Sequence, residues 1–399
     1  MIDKNKMPLA VGVAFVGFTT QFGGGFASGV QLYQYFINYG IWTLIMPVLA
    51  QALLSIFFWY GMLNAFRQKT YDYRSFCDVF YGKTNVLFSN LYEIVYIMLI
   101  CLAPAVAFAT GGEVMGSLFG TPYWLNTVII GVFIFLIALY GTHIVRKAAA
   151  TLSVFIIAGV LVVVIPNIIV QWKEIVRALG ELSAGAVPLG STEPSTLWPA
   201  LKSAVIYFAF QLASIGLMYQ HVESLKDESE VKKSMIYMFT VNAVIIMVSI
   251  LGMLAVAFSP SLINAQTGRQ VSVPMMTLVS KGVGATVFKP IISLLILLGA
   301  VSTGVNMIAG IVARVVNAFE RRESVETALK KRRIRYVWAS LGFTILAFAI
   351  AQFGLLGLVK IGYSYLGYGS LIVVAIPFVL SALLRRKVAV YENLKATSE

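Results

Sequence analysis

Residues 19–29, Thr-Thr-Gln-Phe-Gly-Gly-Gly-Phe-Ala-Ser-Gly, set four glycines and a serine inside an apolar run, residues 7–37, that is otherwise long enough to cross a bilayer as one helix. Glycine costs about 1 kcal/mol per helical position relative to alanine. In hydrocarbon, each backbone N–H or C=O freed by a break costs several kcal/mol more unless something satisfies it. The run therefore predicts a break at bilayer depth that faces a ligand or a lined cavity. Free N–H groups at a half-helix N-terminus suit an anion such as a carboxylate, and unwound carbonyls suit a small cation. Gly25, Ala27, Ser28 and Gly29 are the expected solute contacts in this segment. No charged side chain is required.

A second suspicious stretch is residues 208–216, Phe-Ala-Phe-Gln-Leu-Ala-Ser-Ile-Gly, where Gln211, Ser214 and Gly216 fall in the middle of another apolar run. Phe208 and Phe210 suit a lid over a small organic molecule, with Gln211 as a polar contact. Asn306 is a further solute contact expected from a later run. Packing alternatives stand beside each of these readings, because small residues also let membrane helices approach closely and aromatic side chains on such helices mostly face lipid or neighbours. Glu93 and Glu113 are carboxylates on one apolar run. Intramembrane acids are costly and point to a proton relay or gate, the alternative being solvated ends or packing partners.

The elements that must position these residues are transmembrane helices. Of the 399 residues, 59% are hydrophobic and 12% charged, and the mean hydropathy is +0.85. Ten apolar stretches follow one another, at residues 7–37, 41–63, 86–118, 124–140, 148–170, 198–219, 235–258, 287–312, 337–353 and 359–384. Each is of membrane-spanning length. With the N-terminus inside, 23 of the 30 Lys and Arg residues fall in inner segments. The positive-inside rule thus gives a multi-pass protein of the cell inner (plasma) membrane with both termini cytoplasmic.

That sorting also accounts for the net charge of +13 without nucleic acid. The basic run from Lys330 to Arg335 reads as a topology determinant touching anionic headgroups. The two cysteines, Cys77 and Cys101, form neither a disulfide framework nor a metal motif, and no HExxH, GxSxG or intramembrane His/Asp constellation suggests an enzyme. Nothing resembles a channel filter of repeated carbonyls or a charged ring. No cofactor is expected.

Five spans (residues 1–171) precede a polar outer connection (172–197), and five follow it with a cytoplasmic tail (198–399). An odd number of spans per half makes the halves insert in opposite orientations, as an inverted repeat. Each half opens with a helix expected to be discontinuous, the first and the sixth.

Phe26-Ala-Ser-Gly-Val30 resembles the unwound Gly-Ser-Gly segment of the first helix in the amino acid–polyamine–organocation superfamily, whose members share a LeuT-type five-plus-five inverted repeat. The fuller Gly-Gly-Gly-Phe-Ala-Ser-Gly run is similar to the YkvI-like bacterial membrane proteins. The resemblance implies an all-α fold and a secondary transporter that works by alternating access on a small amino acid or amine-like solute.

In sodium-coupled members of that fold, one ion lies between the first and eighth helices. Carried over, the ligands are the carbonyls of Gly23, Phe26 and Gly299 and the hydroxyls of Ser302 and Thr303. A hard cation takes such oxygens, unless both hydroxyls back-bond to their own helix. Members that use a proton often carry a lysine on the fifth helix; residues 148–170 contain none, which favours sodium. A proton-coupled transporter and a ligand-sensing receptor subunit on the same scaffold are the alternatives. The expected partners are a small solute and membrane lipid, with the oligomeric state left open.

Overall fold

The computed structural model describes residues 8–140, 142–320 and 323–384, and these are helical apart from turns, short connections and one isolated bridge between Ile263 and Gln270. Among the described residues, seven helices are long and apolar enough to cross a membrane: Met46–Gln68, Gly82–Phe119, Leu197–Leu217, Glu228–Leu254, Ala285–Val316, Leu329–Ala351 and Leu355–Leu384. An eighth apolar segment, Phe155–Val170, runs into the surface helix Trp172–Ser183 across an 81° bend. Two more apolar helices, Leu9–Gln21 and Tyr123–Leu139, are shorter. Each of these segments overlaps one of the ten apolar stretches of the sequence and takes that stretch's number below. Their limits differ from the apolar ones, as in Glu228–Leu254, which starts before and ends short of the apolar stretch 235–258. Both chain termini lie outside the described residues, so the expected inward placement of Lys4, Lys6 and the tail is not addressed by the structure.

The helices sort into two packed groups. Spans one, two, six and seven pack on one another, and spans three, four, eight and nine form the second group. Span five lies against spans seven and eight, and span ten against six and three, so each bridges the groups. Spans two and seven are pinned together by a forked ion pair, Arg67 Nε and Nη2 to Glu228 at 2.7 and 2.8 Å.

The first span is broken, as its glycines predict. Helix Leu9–Gln21 ends, Phe22 and Gly23 leave the helical path, a four-residue turn runs Gly24–Ala27, and a third helix begins at Val30. The restart requires Gly29, whose φ of +83° is strained for any residue with a Cβ. The sixth span departs from expectation in kind. Leu197–Leu212 does not unwind but tightens into a 3₁₀ stretch, Ala213–Leu217, with every flanking residue still right-handed. The small residues Ala213, Ser214 and Gly216 let the turn tighten, where the glycines of the first span let it open.

Span ten carries two π-helical stretches, Leu358–Gly362 and Leu371–Ala375. A π turn leaves a carbonyl without its usual partner. Tyrosine hydroxyls meet both: Tyr35 donates to the Val359 carbonyl at 2.7 Å and Tyr81 to that of Val373 at 2.6 Å.

Candidate functional site

The break in span one lies against span eight. A Cβ on Gly23 would sit 2.9 Å from Thr303 Oγ1, and one on Gly24 would sit 2.9 Å from Ala300 Cβ and 3.1 Å from its Cα. Gly299 faces the same backbone, its own Cβ position 3.7 Å from Gly24 N. Span one thus reaches span eight along a stripe of Gly299, Ala300 and Thr303, and glycine is what permits the approach.

Beside this contact is a cavity of about 40 Å³. From the first span come Thr20, Gln21, Gly23, Gly24, Gly25 and Gln31; span three supplies Leu99, Ala103, Val106 and Ala107. The remaining wall is Phe210, Gln211, Ser214, Thr303, Met307 and Tyr363. A water needs roughly 10–15 Å³ of such space, so the cavity has room for a few water-sized groups and must widen for an organic solute.

Of the residues expected from sequence, Gly23, Gly25, Phe210, Gln211 and Thr303 line this cavity, and Gly299 lies beside it. Gln211 also braces the break. Its Nε2 donates to the Gln21 carbonyl at 3.3 Å, meeting a backbone acceptor left at the end of the first helix. Phe210 stacks on Tyr363 with centroids 4.7 Å apart and planes 15° off parallel.

The other expected contacts point elsewhere. Phe208 packs on Phe57 at 5.0 Å, and Phe26 packs edge-on to Phe22 at 4.2 Å. Ser28 turns its hydroxyl to the Gly25 carbonyl at 2.9 Å, while its carbonyl accepts from Met275 N at 3.0 Å. Ala27 and Gly29 are buried outside the lining. Ser302 is half-buried and Asn306 exposed, because the cavity face of span eight carries residues 299, 303 and 307, one position round from the 302/306 pair.

The oxygens of the expected cation site fit a hard ion in type. Thr303 spends its one proton on the Gly299 carbonyl at 2.9 Å, so its lone pairs remain as acceptors towards Gly23. The Gly23 carbonyl accepts from Phe26 N and Ala27 N, and the Phe26 carbonyl from Gly29 N, all within their own turns. Among the described residues there is no cluster of three or more His, Cys, Asp or Glu that could hold a metal.

Sequence reasoning missed Gln31, Tyr363, Met307 and the span-three wall. It also missed a buried amide cluster under the cavity: Asn242 Nδ2 donates to Gln21 Oε1 at 2.6 Å and to Gln51 Oε1 at 3.1 Å, and Gln21 Nε2 approaches Met238 Sδ at 3.6 Å. These partners come from spans far apart in the chain. A polar amide in an apolar run is the one signal that Gln21, Gln51 and Asn242 each give.

Side-chain contacts link the helices on either side of the cavity. At the expected outer end, Asn38 and Gln270 exchange amide hydrogen bonds at 3.1 and 2.8 Å, Gln270 Nε2 also donates to the Leu189 carbonyl at 2.9 Å, and Lys360 pairs with Glu193 at 2.8 Å. Glu113 is half-buried near that end of span three, outside the lining. Asn38→Ala removes one partner of the reciprocal pair and leaves the buried Gln270 acceptor unmet, a loss of about 1–3 kcal/mol. The expected result is roughly tenfold more opening of the connection at residues 263–273, read as faster amide exchange there; an unchanged rate would show that the pair does not hold that connection down.

Towards the expected inner end, Tyr92 reaches the 3₁₀ stretch of span six, its hydroxyl accepting from Gly216 N at 3.0 Å and donating to the Ala213 carbonyl at 3.3 Å. Next to it Glu93 pairs with Arg314 of span eight at 2.7 Å. The Tyr73 hydroxyl joins both, donating to Glu93 and accepting from Arg314, with burial raising its pKa so that it keeps its proton at neutral pH.

A first span broken against a second helix group is the arrangement of the LeuT-type fold. Among solved structures, the chain is similar to a Na+-coupled sialic acid symporter in a substrate-bound outward-open state, with 14% identity, a TM-score of 0.59, and 94% of this chain and 90% of that one covered. It is also similar to Mhp1, a nucleobase-cation-symport-1 family transporter, in a closed conformation with bromovinylhydantoin bound; the identity is 13%, the TM-score 0.57 and the coverage 95% and 79%. No protein-family model matches the chain, and no curated protein matches it either.

Proposed function

We propose that this chain is a secondary active transporter that moves a small organic solute by alternating access, coupled to sodium. The observation that carries the reading is the broken first span, pressed against Thr303 beside a small cavity lined by Gln31 and Gln211. Thr303, with the Gly23 and Gly299 backbone, would hold the ion there, and the ion would supply charge that ties the break to span eight. The remaining work belongs to the chain's own groups: Gln211 and the backbone of residues 23–25 hold the solute, and Phe210 and Tyr363 cover it. The Asn38–Gln270 and Glu93–Arg314 pairs exclude water from either side.

The resemblance to the amino acid–polyamine–organocation superfamily, and to its YkvI-like members, points to amino acids or amines as the solute class. Two five-helix halves, residues 1–171 and 198–399, joined by an outer connection at 172–197, suit that family's inverted repeat. A plasma-membrane protein with both termini inside completes the reading, supported by the distribution of basic residues. The likeness to two cation-coupled symporters agrees with coupling to a cation gradient.

An ion drives such a cycle only by binding one conformation better than the other. In proteoliposomes, solute uptake is therefore expected to be several-fold faster with an inward sodium gradient than with choline or a proton gradient. Equal rates in all three would remove the coupling, and binding without any counterflow would instead favour a receptor subunit.

A further inference from the structure

We infer that the solute carries no free ammonium group and donates an amide-type N–H to Gln31 Oε1. The inference rests on the transporter reading and departs from the amino acid and amine class that the family resemblance suggests. Gln31 is 4% exposed, lines the cavity, and has an Oε1 that no group among the described residues meets. Its Nε2 lies over Gly25, 2.8 Å from where a Cβ would be, so the amide rests on the floor left by the missing side chain. A buried acceptor without a donor costs about 1–3 kcal/mol. A solute that brings an N–H recovers that energy.

The other amides at the cavity are already engaged. Gln21 is held by Asn242 and Met238, and the Gln211 Nε2 donates to the Gln21 carbonyl. The acceptor of Gln31 is the unmatched group.

Charge argues in the same direction. None of the sixteen lining residues is acidic or basic. The described carboxylates near the ends of span three stand apart from the lining, Glu93 being already paired with Arg314. An ammonium ion in this cavity would find no counter-charge, and burying an unpaired ion costs several kcal/mol. A coupling cation at Thr303 would repel it further.

Phe210 and Tyr363, stacked on each other, both reach the cavity and add apolar surface beside its amides.

The test uses the purified full-length chain in sodium buffer, with propionamide and hydantoin as neutral probes, propylamine and propionate as charged isosteres of the first, and alanine as a zwitterion. Binding is read by thermal stabilisation and transport by counterflow in proteoliposomes. The neutral probes are expected to stabilise the chain and exchange, with propylamine, and propionate, which brings no N–H, at least tenfold weaker. Gln31→Met should weaken the neutral probes about tenfold while leaving stabilisation by sodium alone unchanged, which shows that the variant folds. Gln31→Asn, which keeps the amide but shortens its reach, should fall between. Counterflow of alanine or propylamine with none for the neutral probes would overturn the solute class and leave the transporter reading standing. Binding of the neutral probes without counterflow would support the class and sink transport. Neutral-probe affinity untouched by Gln31→Met would overturn the role of Gln31.

Discussion

Gly24→Ala is expected to abolish the response to sodium while Gly12→Ala leaves it intact. Both glycines lie on the first span, but their surroundings differ. A Cβ on Gly12 meets nothing within 4 Å, whereas one on Gly24 falls 2.9 Å from Ala300 Cβ, 3.1 Å from Ala300 Cα and 3.2 Å from Thr110 Cγ2. Backbone and a methyl carbon on a packed helix cannot swing aside, so spans one and eight must separate. Overpacking of this kind costs roughly 1–3 kcal/mol. Gly12→Ala, by contrast, gains about 1 kcal/mol of helix propensity.

Function should suffer more than stability. The oxygens proposed to hold the ion come from both sides of this contact, and moving one side away from Thr303 lengthens every bond between them. A loss of tenfold or more in sodium affinity follows from about 1.4 kcal/mol of lost coordination. The measurement is sodium-dependent thermal stabilisation of the purified variants, followed by uptake. Gly24→Ala combined with Ala300→Gly removes the closest methyl and should recover part of the response. A Gly24→Ala variant with undiminished sodium stabilisation would place the ion elsewhere or dispense with it.

The glycine run was legible in the sequence because glycine announces itself by what it lacks. Gly23–Gly25 cannot be explained as helix filler, and the structure puts all three at the cavity. The hydroxyls of span eight were legible as a pair but not in register. Ser302 and Thr303 are neighbours on the chain and about 100° apart on the helix, so only one faces Gly23, and the sequence does not say which. Asn306 follows Ser302 out of the site for the same reason. Phe208 and Phe210 alternate in sequence and diverge in space, one to Phe57 and the other to Tyr363.

What could not be read were contacts between distant spans. Gln31 looks like an ordinary polar residue until Gly25 is seen beneath it, and Gln21 meets Asn242 across 221 positions. Arg314 was counted among the basic residues that orient the chain; its guanidinium turns out to face Glu93. Charge counting finds topology, and only packing finds partners.

Arg314→Met is expected to open the inner side of the cavity. The guanidinium holds three elements together: Glu93 on span three at 2.7 Å, Tyr73 on the connecting helix Tyr73–Phe80, and the faces of Tyr73 and Tyr96, with Cζ 4.6 and 4.9 Å from the two ring centroids. Its own side chain is 34% exposed and that of Glu93 28%. The pair is thus neither a surface ion pair nor a dry one, and its loss should cost about 1–2 kcal/mol, between those limits. Cation–π contacts at partly exposed sites add about 0.5–1 kcal/mol. Tyr73 also packs against Gly216, where a Cβ would lie 3.0 Å from Tyr73 Cβ and 2.6 Å from the Tyr92 hydroxyl. Releasing Tyr73 therefore loosens the plug that Tyr92 makes in span six.

The readout is a cysteine at Ser214, which is buried, lines the cavity and sits in the same 3₁₀ stretch. In a Cys101→Ala background the other thiol, Cys77, is buried, and that burial pushes its pKa up to about 12, so it stays protonated and unreactive at neutral pH. Maleimide applied from the inner side should label Ser214→Cys roughly tenfold faster with Arg314→Met than without it, the population shift that about 1.4 kcal/mol produces. Arg314→Lys keeps the charge but loses the fork and the flat face that stacks on the tyrosines, so its rate should be intermediate. Glu93→Gln on the Arg314→Met background removes the stranded carboxylate. If that second change adds no further labelling, the two residues act as one latch; if the rates instead multiply, or Arg314→Met alone changes nothing, the inner closure is carried by Tyr92 without them.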